Sequence, residues 1–503
     1  MSLSEFASFC KKKGFFYPSS EIYGGLSGFY DYGHLGTRLK HNFENIWRKY
    51  FLSLDDNYHE IETANIMHSN VFKASGHLDH FIDPIVNCSK CDFADRADHV
   101  LEKALNKRAE GISSEQLTQE IKKNKLNCPR CGSLFKPVSV MNMMFPLTIG
   151  VGKTTQAYLR PETAQSPYVN FKLQYELLRN KLPLGLALIG RAYRNEISPR
   201  NLILRQREFT QAELQIFFNP AKITEHKHFD LIQNYKLKAL LIEDRKGDLA
   251  VERTAGELVK LGLPKFYVYH LVKIQQFYFD ILKIPENKFR LYQLNDQEKA
   301  FYNKYHFDLE LGLNDVGWTE VGGLHYRTDH DLSGHQNVSK ENMNVFDEES
   351  GQKLIPHVLE LSFGVDRNVY ALLDLNYEDN KERGNVILHL PEDLAPYGYA
   401  FFPLVKNNPE LLAKAERVYR LFSGHDCYFD VSGSVGRRYA RADEMGVNYC
   451  ITIDFDSLQD DSVTIRDRDT TKQVRVKIED LKTDLMLLMA GQRKFEELGK
   501  QIR

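Results

Sequence analysis

The stretch LGLALIGRAYRNEISPRNLILRQREFTQAELQIFF, residues 184–218, constrains the chain more than any other. Two apolar runs, Leu184 to Ile189 and Phe209 to Phe218, read as strands and flank a loop too polar to enter a core. Between Arg191 and Arg207 stand five arginines and no lysine, in a chain with 66 Lys plus Arg among 503 residues. Arginine's planar fork can grip two oxygens of one phosphate or carboxylate and stays charged at any physiological pH. A solvated hairpin with scattered ion pairs is the plain alternative. The alternation along the second run argues against it: Thr210, Ala212, Leu214 and Ile216 share a core-like face, while Phe209, Gln211, Glu213 and Gln215 share the other. That polar face offers an aromatic plane, an amide and a carboxylate beside a guanidinium-rich loop, groups that suit a nucleotide together with an amine.

The length predicts two or three domains with large cores. A net charge of −2 and a pI near 6.8 exclude a general polyanion-binding field, so a nucleic-acid partner must be held by local basic patches, and no DNA is expected. The opening MSLSEFASFCKKKGFFYP lacks a long apolar run with a cleavage site, and no stretch reaches 18 uninterrupted apolar residues; the expectation is a cytoplasmic protein with no membrane partner. Of seven cysteines, Cys88 and Cys91 form one C-x-x-C pair and Cys128 and Cys131 a second. Four thiolates in two short knuckles suit a structural tetrahedral zinc, two vestigial pairs without metal being the alternative. The 36 residues between the pairs include the helical, charged ADHVLEKALNKRAEG, an insertion between knuckles.

Elsewhere, Leu35, Leu39, Phe43, Ile46, Trp47 and Tyr50 recur at helical spacing and predict one apolar stripe. GVGKTT imitates a phosphate-binding loop, but Leu147 stands where that motif requires glycine, which rejects it. Residues 220–300 read as helical and mixed in charge. In VGWTEVGGLHYRTDHDLSGHQ, Glu320, Arg327, Asp329, Asp331 and His335 crowd a short span, as metal ligands or, more commonly, a polar network. Val358, Glu360 and Ser362 alternate onto one strand face, and Arg367 falls in the first turn of a helix starting near Val365, where a bound anion would offset its conflict with the helix dipole. Residues 375–385 are charged and linker-like; beyond them strands and helices alternate in a doubly wound pattern, with Arg437, Arg438 and Arg441 beside Tyr439 as a local basic patch.

RNEISPR followed by REFTQAE resembles motif 2 of class II aminoacyl-tRNA synthetases, in the form carried by dimeric glycyl-tRNA synthetases. FYPSSEIYGG and YGHLGTRLKHNF resemble that family's motif 1, which builds the dimer interface, although His34 replaces the usual proline; YLRPETAQ resembles its signature upstream of motif 2, and PHVLELSFGVDR its motif 3. The resemblance covers nearly the whole chain. It implies an α/β protein: an α+β catalytic core, its mixed and largely antiparallel sheet flanked by helices, over residues 1–374; insertions at 81–140 and at 220–300, the role of the latter left open; a linker at 375–385; and a doubly wound anticodon-binding domain over 386–503.

The activity so implied is ATP-dependent attachment of glycine to tRNA(Gly) through glycyl-adenylate, by a homodimer, with Mg2+ accompanying ATP. By resemblance, Arg194 holds the α-phosphate and Arg367 the γ-phosphate, Phe209 stacks on adenine near Arg207, Glu196 and Glu320 line the ATP site, and Glu360 ligates magnesium. Glu162, Glu213 and Ser362 surround the glycine ammonium, and Arg327 faces the reacting carboxylate and phosphate. Arg437, Arg438 and Arg441 meet the anticodon region. Two rivals are a prolyl, threonyl or histidyl synthetase, disfavoured by RPETAQ, REFTQAE and ELSFGVDR together, and a synthetase-like accessory subunit of a mitochondrial DNA polymerase, which has no need of the ATP-site residues retained here.

Overall fold

The fold is that of a computed structural model, in which residues 2–105, 112–247 and 249–502 are described. The apolar stripe becomes helix α1 (His34–Leu52). Leu35, Leu39, Phe43, Trp47 and Phe51 are buried along it, and Ile46 and Tyr50 pack at the margin. Gly36 admits close approach of the preceding segment, since a Cβ there would lie 1.8 Å from the Phe15 carbonyl oxygen.

Among the described residues, α1 lies behind a nine-stranded sheet. Its strands are β1 (Tyr58–Glu60), β2 (Leu184–Tyr193), β3 (Glu208–Phe218), β4 (Lys236–Leu240), β5 (Val251–Thr254), β6 (Phe289–Gln293), β7 (Tyr305–Leu313), β8 (Gly317–Thr328) and β9 (His357–Gly364). They run in the order β5-β4-β6-β7-β8-β9-β3-β2-β1. Only β4/β6 and β1/β2 pair in parallel. Helices α2 (Gln165–Leu177), α3 (Lys265–Gln276) and α4 (Val365–Leu375) also belong to this part.

Register decides what shares a face. Glu213 lies opposite Ser362, Gln215 opposite Glu360, and His325 opposite Glu360 from the other side. The reverse face carries Leu214, Ile216, Leu359, Leu361 and Phe363, all buried, and Phe363 meets Phe51 of α1 at 4.9 Å between ring centroids. A dry layer therefore backs the polar one, as the period-two pattern of β3 predicts.

Residues 220–300, expected to be a helical insertion, supply α3 but also β4, β5 and β6, which widen the central sheet. Lys236 and Lys238 alternate with the buried Leu237 and Ala239. Their charge is that of a half-solvated strand, not of a helix face. The expected linker at 375–385 is likewise ordered: Tyr377–Asn380 pairs with Asn385–Leu388 in an antiparallel hairpin.

The two cysteine pairs sit in a small unit with its own three-stranded sheet, whose core is Val86, Ala97, Leu101, Leu117 and Ile121. Of the helical stretch between the pairs, Ala97–Leu105 is a helix, and 106–111 lie outside the described residues.

A second sheet follows from β10 (Tyr399–Pro403), β11 (Cys427–Phe429), β12 (Tyr449–Ile453), β13 (Ser462–Asp467), β14 (Gln473–Lys477) and β15 (Lys500–Gln501), ordered β11-β10-β12-β13-β14-β15. Its first three strands are parallel, with α5 (Pro409–Arg420) and α6 (Val435–Met445) as crossovers. The remaining strands are antiparallel and α7 (Ile478–Met489) follows β14.

Candidate active site

The polar face of β3, β8 and β9 forms the floor of a cavity of about 710 Å³. Glu162, Arg194, Glu196, Phe209, Glu213, Glu320, Arg327, Glu360, Ser362 and Arg367 all line it. Gly323 opens room beside Ser362, because a Cβ there would lie 2.4 Å from His325 Nε2.

At one end stands a knot of carboxylates. Glu213 is only 2% exposed and accepts hydrogen bonds from Thr163 Oγ1 at 2.6 Å, Ser362 Oγ at 2.8 Å and Gln211 Nε2 at 2.9 Å. Burial, then the nearby charges of Glu360 and Glu162, push its carboxyl up to about 8. Glu360 Oε2 accepts from Arg327 Nη1 at 3.1 Å, Gln215 Nε2 at 2.8 Å and Tyr168 OH at 3.2 Å, while its Oε1 accepts from His325 Nδ1. Burial opposes ionisation of Glu360, but Arg327 and His325 outweigh it and hold the group down at about 2. Glu162 is also held low against its burial, by His77 and Arg327, and accepts from Gln165 Nε2 at 2.9 Å. Arg327 is fixed by Asp331 at 2.8 and 3.0 Å and lies between the rings of Tyr168 and Tyr302, at 5.4 and 4.5 Å. Glu162, Asp331 and Glu360 thus share one guanidinium, with the Glu213 carboxyl beside Glu162 and Glu360. The knot is short of positive charge.

At the other end, Arg194 spends Nε on the Pro161 carbonyl at 2.9 Å, and among the described residues its two Nη groups donate to no protein acceptor. Its guanidinium lies 5.3 Å from the ring of Phe209. Arg367, in the first turn of α4, reaches the Leu204 carbonyl with Nε at 3.1 Å and Glu320 Oε2 with Nη1 at 3.1 Å. Glu196 accepts from Arg205 Nε at 2.8 Å. Asp308, Glu310 and Glu320 form an acidic wall, and burial together with Glu320 and Glu310 pushes the Asp308 carboxyl up to about 9.

One expected role is corrected by the geometry. Arg207 does not line the cavity: it holds the Glu196 carbonyl at 3.0 Å and the Ser27 carbonyl at 2.8 Å, tying the motif 2 loop to the glycine-rich opening. Glu360 has both oxygens engaged by protein donors and anchors Arg327 and His325. The sequence reading passed over His325, Thr163 and Asp308. His325 was findable, since it lies two residues before Arg327 on one strand face. Thr163 lies inside RPETAQ, yet nothing local says that its hydroxyl reaches Glu213.

Away from the cavity, the four cysteine sulfurs lie within 4.8 Å of one another, with Cys88 Sγ to Cys131 Sγ at 3.4 Å and Cys91 Sγ to Cys128 Sγ at 3.6 Å. Tetrahedral ligation by sulfurs at about 2.3 Å places them about 3.8 Å apart, whereas disulfides need about 2.05 Å. The set fits one metal ion. This unit also touches motif 2, where Ser198 Oγ donates to Asp95 Oδ1 at 2.6 Å.

The basic patch divides. Arg437 is exposed, and Arg441 pairs with Asp430 Oδ2 at 2.9 Å. Arg438 is 1% exposed and donates to the carbonyls of Pro403 at 2.6 Å and Leu404 at 3.2 Å. It fastens α6 to the end of β10, and its expected contact with tRNA is overturned.

The family model described as the class II tRNA synthetase core domain (G, H, P, S and T) matches residues 152–376, and the anticodon-binding domain model matches 400–485. A glycine–tRNA ligase of Pyrococcus horikoshii is 39% identical over 561 aligned positions, covering 96% of this chain and 97% of that protein. The chain belongs to the glycine–tRNA ligase family. The family's glycine–tRNA ligase of Aeropyrum pernix is 35% identical, with 98% of each chain covered. Among solved structures, prolyl-tRNA synthetase from Cryptosporidium parvum, complexed with L-proline and AMP, superposes with a TM-score of 0.56 at 12% identity, covering 97% of this chain and 75% of that one; this likeness is one of fold.

Proposed function

We propose that this chain joins glycine to tRNA(Gly) in two steps, with ATP as the energy source. The observation that carries the choice of an amine substrate is the buried Glu213 carboxyl, held by neutral donors in a site short of positive charge. The substrate ammonium supplies that charge, and a substrate without a side chain leaves the ammonium as its main handle. Glu162 stands on the other side, and Ser362 orients Glu213.

One carboxylate oxygen of glycine attacks the α-phosphorus of ATP, the bond to the bridging oxygen breaks, and pyrophosphate leaves. The 3′-terminal ribose hydroxyl of tRNA then attacks the glycyl carbonyl and AMP departs. Neither step needs a covalent bond to the protein, so positioning and charge carry the catalysis. Arg194 presents its free fork to the α-phosphate, Phe209 offers its ring to adenine, and Arg367 trades Glu320 for the γ-phosphate. Arg327, pinned between two rings, faces the glycine carboxylate. Glu360 and the acidic wall of Asp308, Glu310 and Glu320 offer the oxygen donors that would hold magnesium, and the ion would neutralise the phosphates there. Glycine-dependent exchange of pyrophosphate into ATP tests the reading, and exchange dependent on another amino acid instead would overturn it.

The four-cysteine site holds zinc as a structural ion in this reading, because its unit has a small core, five buried residues among those described, and gains from a staple. Metal analysis is expected to find about one zinc per chain, lost in a Cys88→Ser, Cys128→Ser variant; a folded wild type without metal would refute it.

We read the chain as a cytoplasmic homodimer. Among the described residues, no helix is long and apolar enough to cross a membrane. Val169, Leu173 and Leu177 leave an exposed apolar stripe at four-residue spacing on α2, a surface that a second copy would cover. Leu173→Asp is expected to sediment as a monomer, and an unchanged sedimentation coefficient would discard the stripe as the interface.

For the second domain, Arg437→Ala is expected to raise the Michaelis constant for tRNA while pyrophosphate exchange persists. Arg438→Ala instead removes a buried anchor and should lower the domain's melting temperature. Equal folding defects in both variants would contradict the division.

A further inference from the structure

Beside the reaction cavity lies a groove of about 570 Å³ with which it shares Tyr302 and Asn303. A row of rings leads outward between them. Arg327 lies 4.5 Å from the centre of Tyr302, His330 stacks on Tyr302 at 5.2 Å and 21°, and Phe301 meets His330 edge-on at 5.2 Å. Phe301 is 71% exposed, a large apolar ring left in water at the mouth of the groove. Asn303 is the second observation. It is only 5% exposed and lines both cavities, yet its Oδ1 accepts no hydrogen bond from the described residues. Lys304 adds a positive charge to the groove lining.

An exposed aromatic ring, a nearby lysine and an unsatisfied acceptor make a site for an unpaired nucleotide: a base has two faces to stack and an amino or hydroxyl group to donate. The aminoacylation proposed above requires a nucleic-acid end to pass from solvent to the adenylate, and this groove shares Tyr302 and Asn303 with the reaction cavity. Resting on that reading, we propose that the groove beside Phe301 receives the unpaired 3′ end of the tRNA, with Phe301 stacking a base and Asn303 Oδ1 accepting from the terminal nucleotide.

The test uses the full-length chain with an unmodified tRNA(Gly) transcript, and with one carrying 2-aminopurine at its 3′ end. Phe301→Ala is expected to raise the Michaelis constant for tRNA roughly tenfold, equivalent to about 1.4 kcal/mol, with glycine-dependent pyrophosphate exchange unchanged. The quenching of 2-aminopurine that stacking produces should weaken in the same variant, and Phe301→Trp should restore both. A wild-type constant and full quenching in Phe301→Ala would overturn the proposal. So would equal loss of exchange and aminoacylation, or a changed sedimentation coefficient, which would make the patch a contact between copies. A wild type that exchanges pyrophosphate with glycine but shows no Phe301 dependence removes only the groove; a wild type that fails to exchange removes the aminoacylation reading itself.

Discussion

Glu213→Gln is expected to lower glycine activation by roughly 30- to 1000-fold, about 2–4 kcal/mol, the range for removing the charge from one partner of a buried, hydrogen-bonded ion pair. The amide keeps nearly the same volume, and its oxygen can accept from one of the Thr163 and Ser362 hydroxyls while its nitrogen donates to the other hydroxyl's oxygen, so the loss reports charge and not packing. The pH dependence makes the test sharper. With the carboxyl pushed up to about 8 in the free protein, most molecules at neutral pH carry a protonated Glu213. An ammonium prefers the ionised form, so glycine binding releases a proton. Below pH 8 the apparent affinity for glycine should therefore rise with pH, up to tenfold per unit, and level off above it. Glutamine cannot titrate, and the variant should lose this limb of the kcat/KM profile. Activation of glycine at the wild-type rate, or an unchanged pH limb, would show that Glu213 does not meet the ammonium. Alanine should not profit from the change, since its methyl group meets the same wall of buried side chains.

Arg194→Lys should slow adenylate formation by about 2–4 kcal/mol of transition-state stabilisation. The guanidinium is preorganised: Nε is taken by the Pro161 carbonyl, the plane is set beside Phe209, and both Nη groups remain for oxygens that gain charge as the α-phosphorus is attacked. Lysine keeps the charge but loses both the anchor and the fork. Single-turnover adenylate formation measures the effect directly, and a near-normal rate would move the α-phosphate away from Arg194.

The catalytic sheet and its floor were legible because alternation survives folding. Once β3 is a strand, Glu213 and Leu214 must point to opposite sides, and the same holds for Glu360 and Leu361 in β9. The cysteine pairs were legible for a similar reason, as each knuckle is local. The strands of 236–293 were missed because their periods are short and their lysines sit on a wetted face, where charge carries no information about helix or strand. Thr163 and Asp308 were missed because Thr163 meets Glu213, and Asp308 meets Glu320, only when segments apart in the chain come together.

The sequence alone determined which groups the chain could offer: a guanidinium fork, an aromatic plane, alternating carboxylates and four paired thiols. Only the tertiary structure decided which of them are available. Arg437 and Arg438 are neighbours with the same chemistry, yet one meets water and the other is locked onto carbonyls at the end of β10. Arg194 and Arg207 lie on one loop, yet one keeps an open fork and the other spends its donors on backbone. The physical reason is that a donor's use depends on what lies within about 3 Å of it, and in these cases the acceptors come from segments remote in the chain.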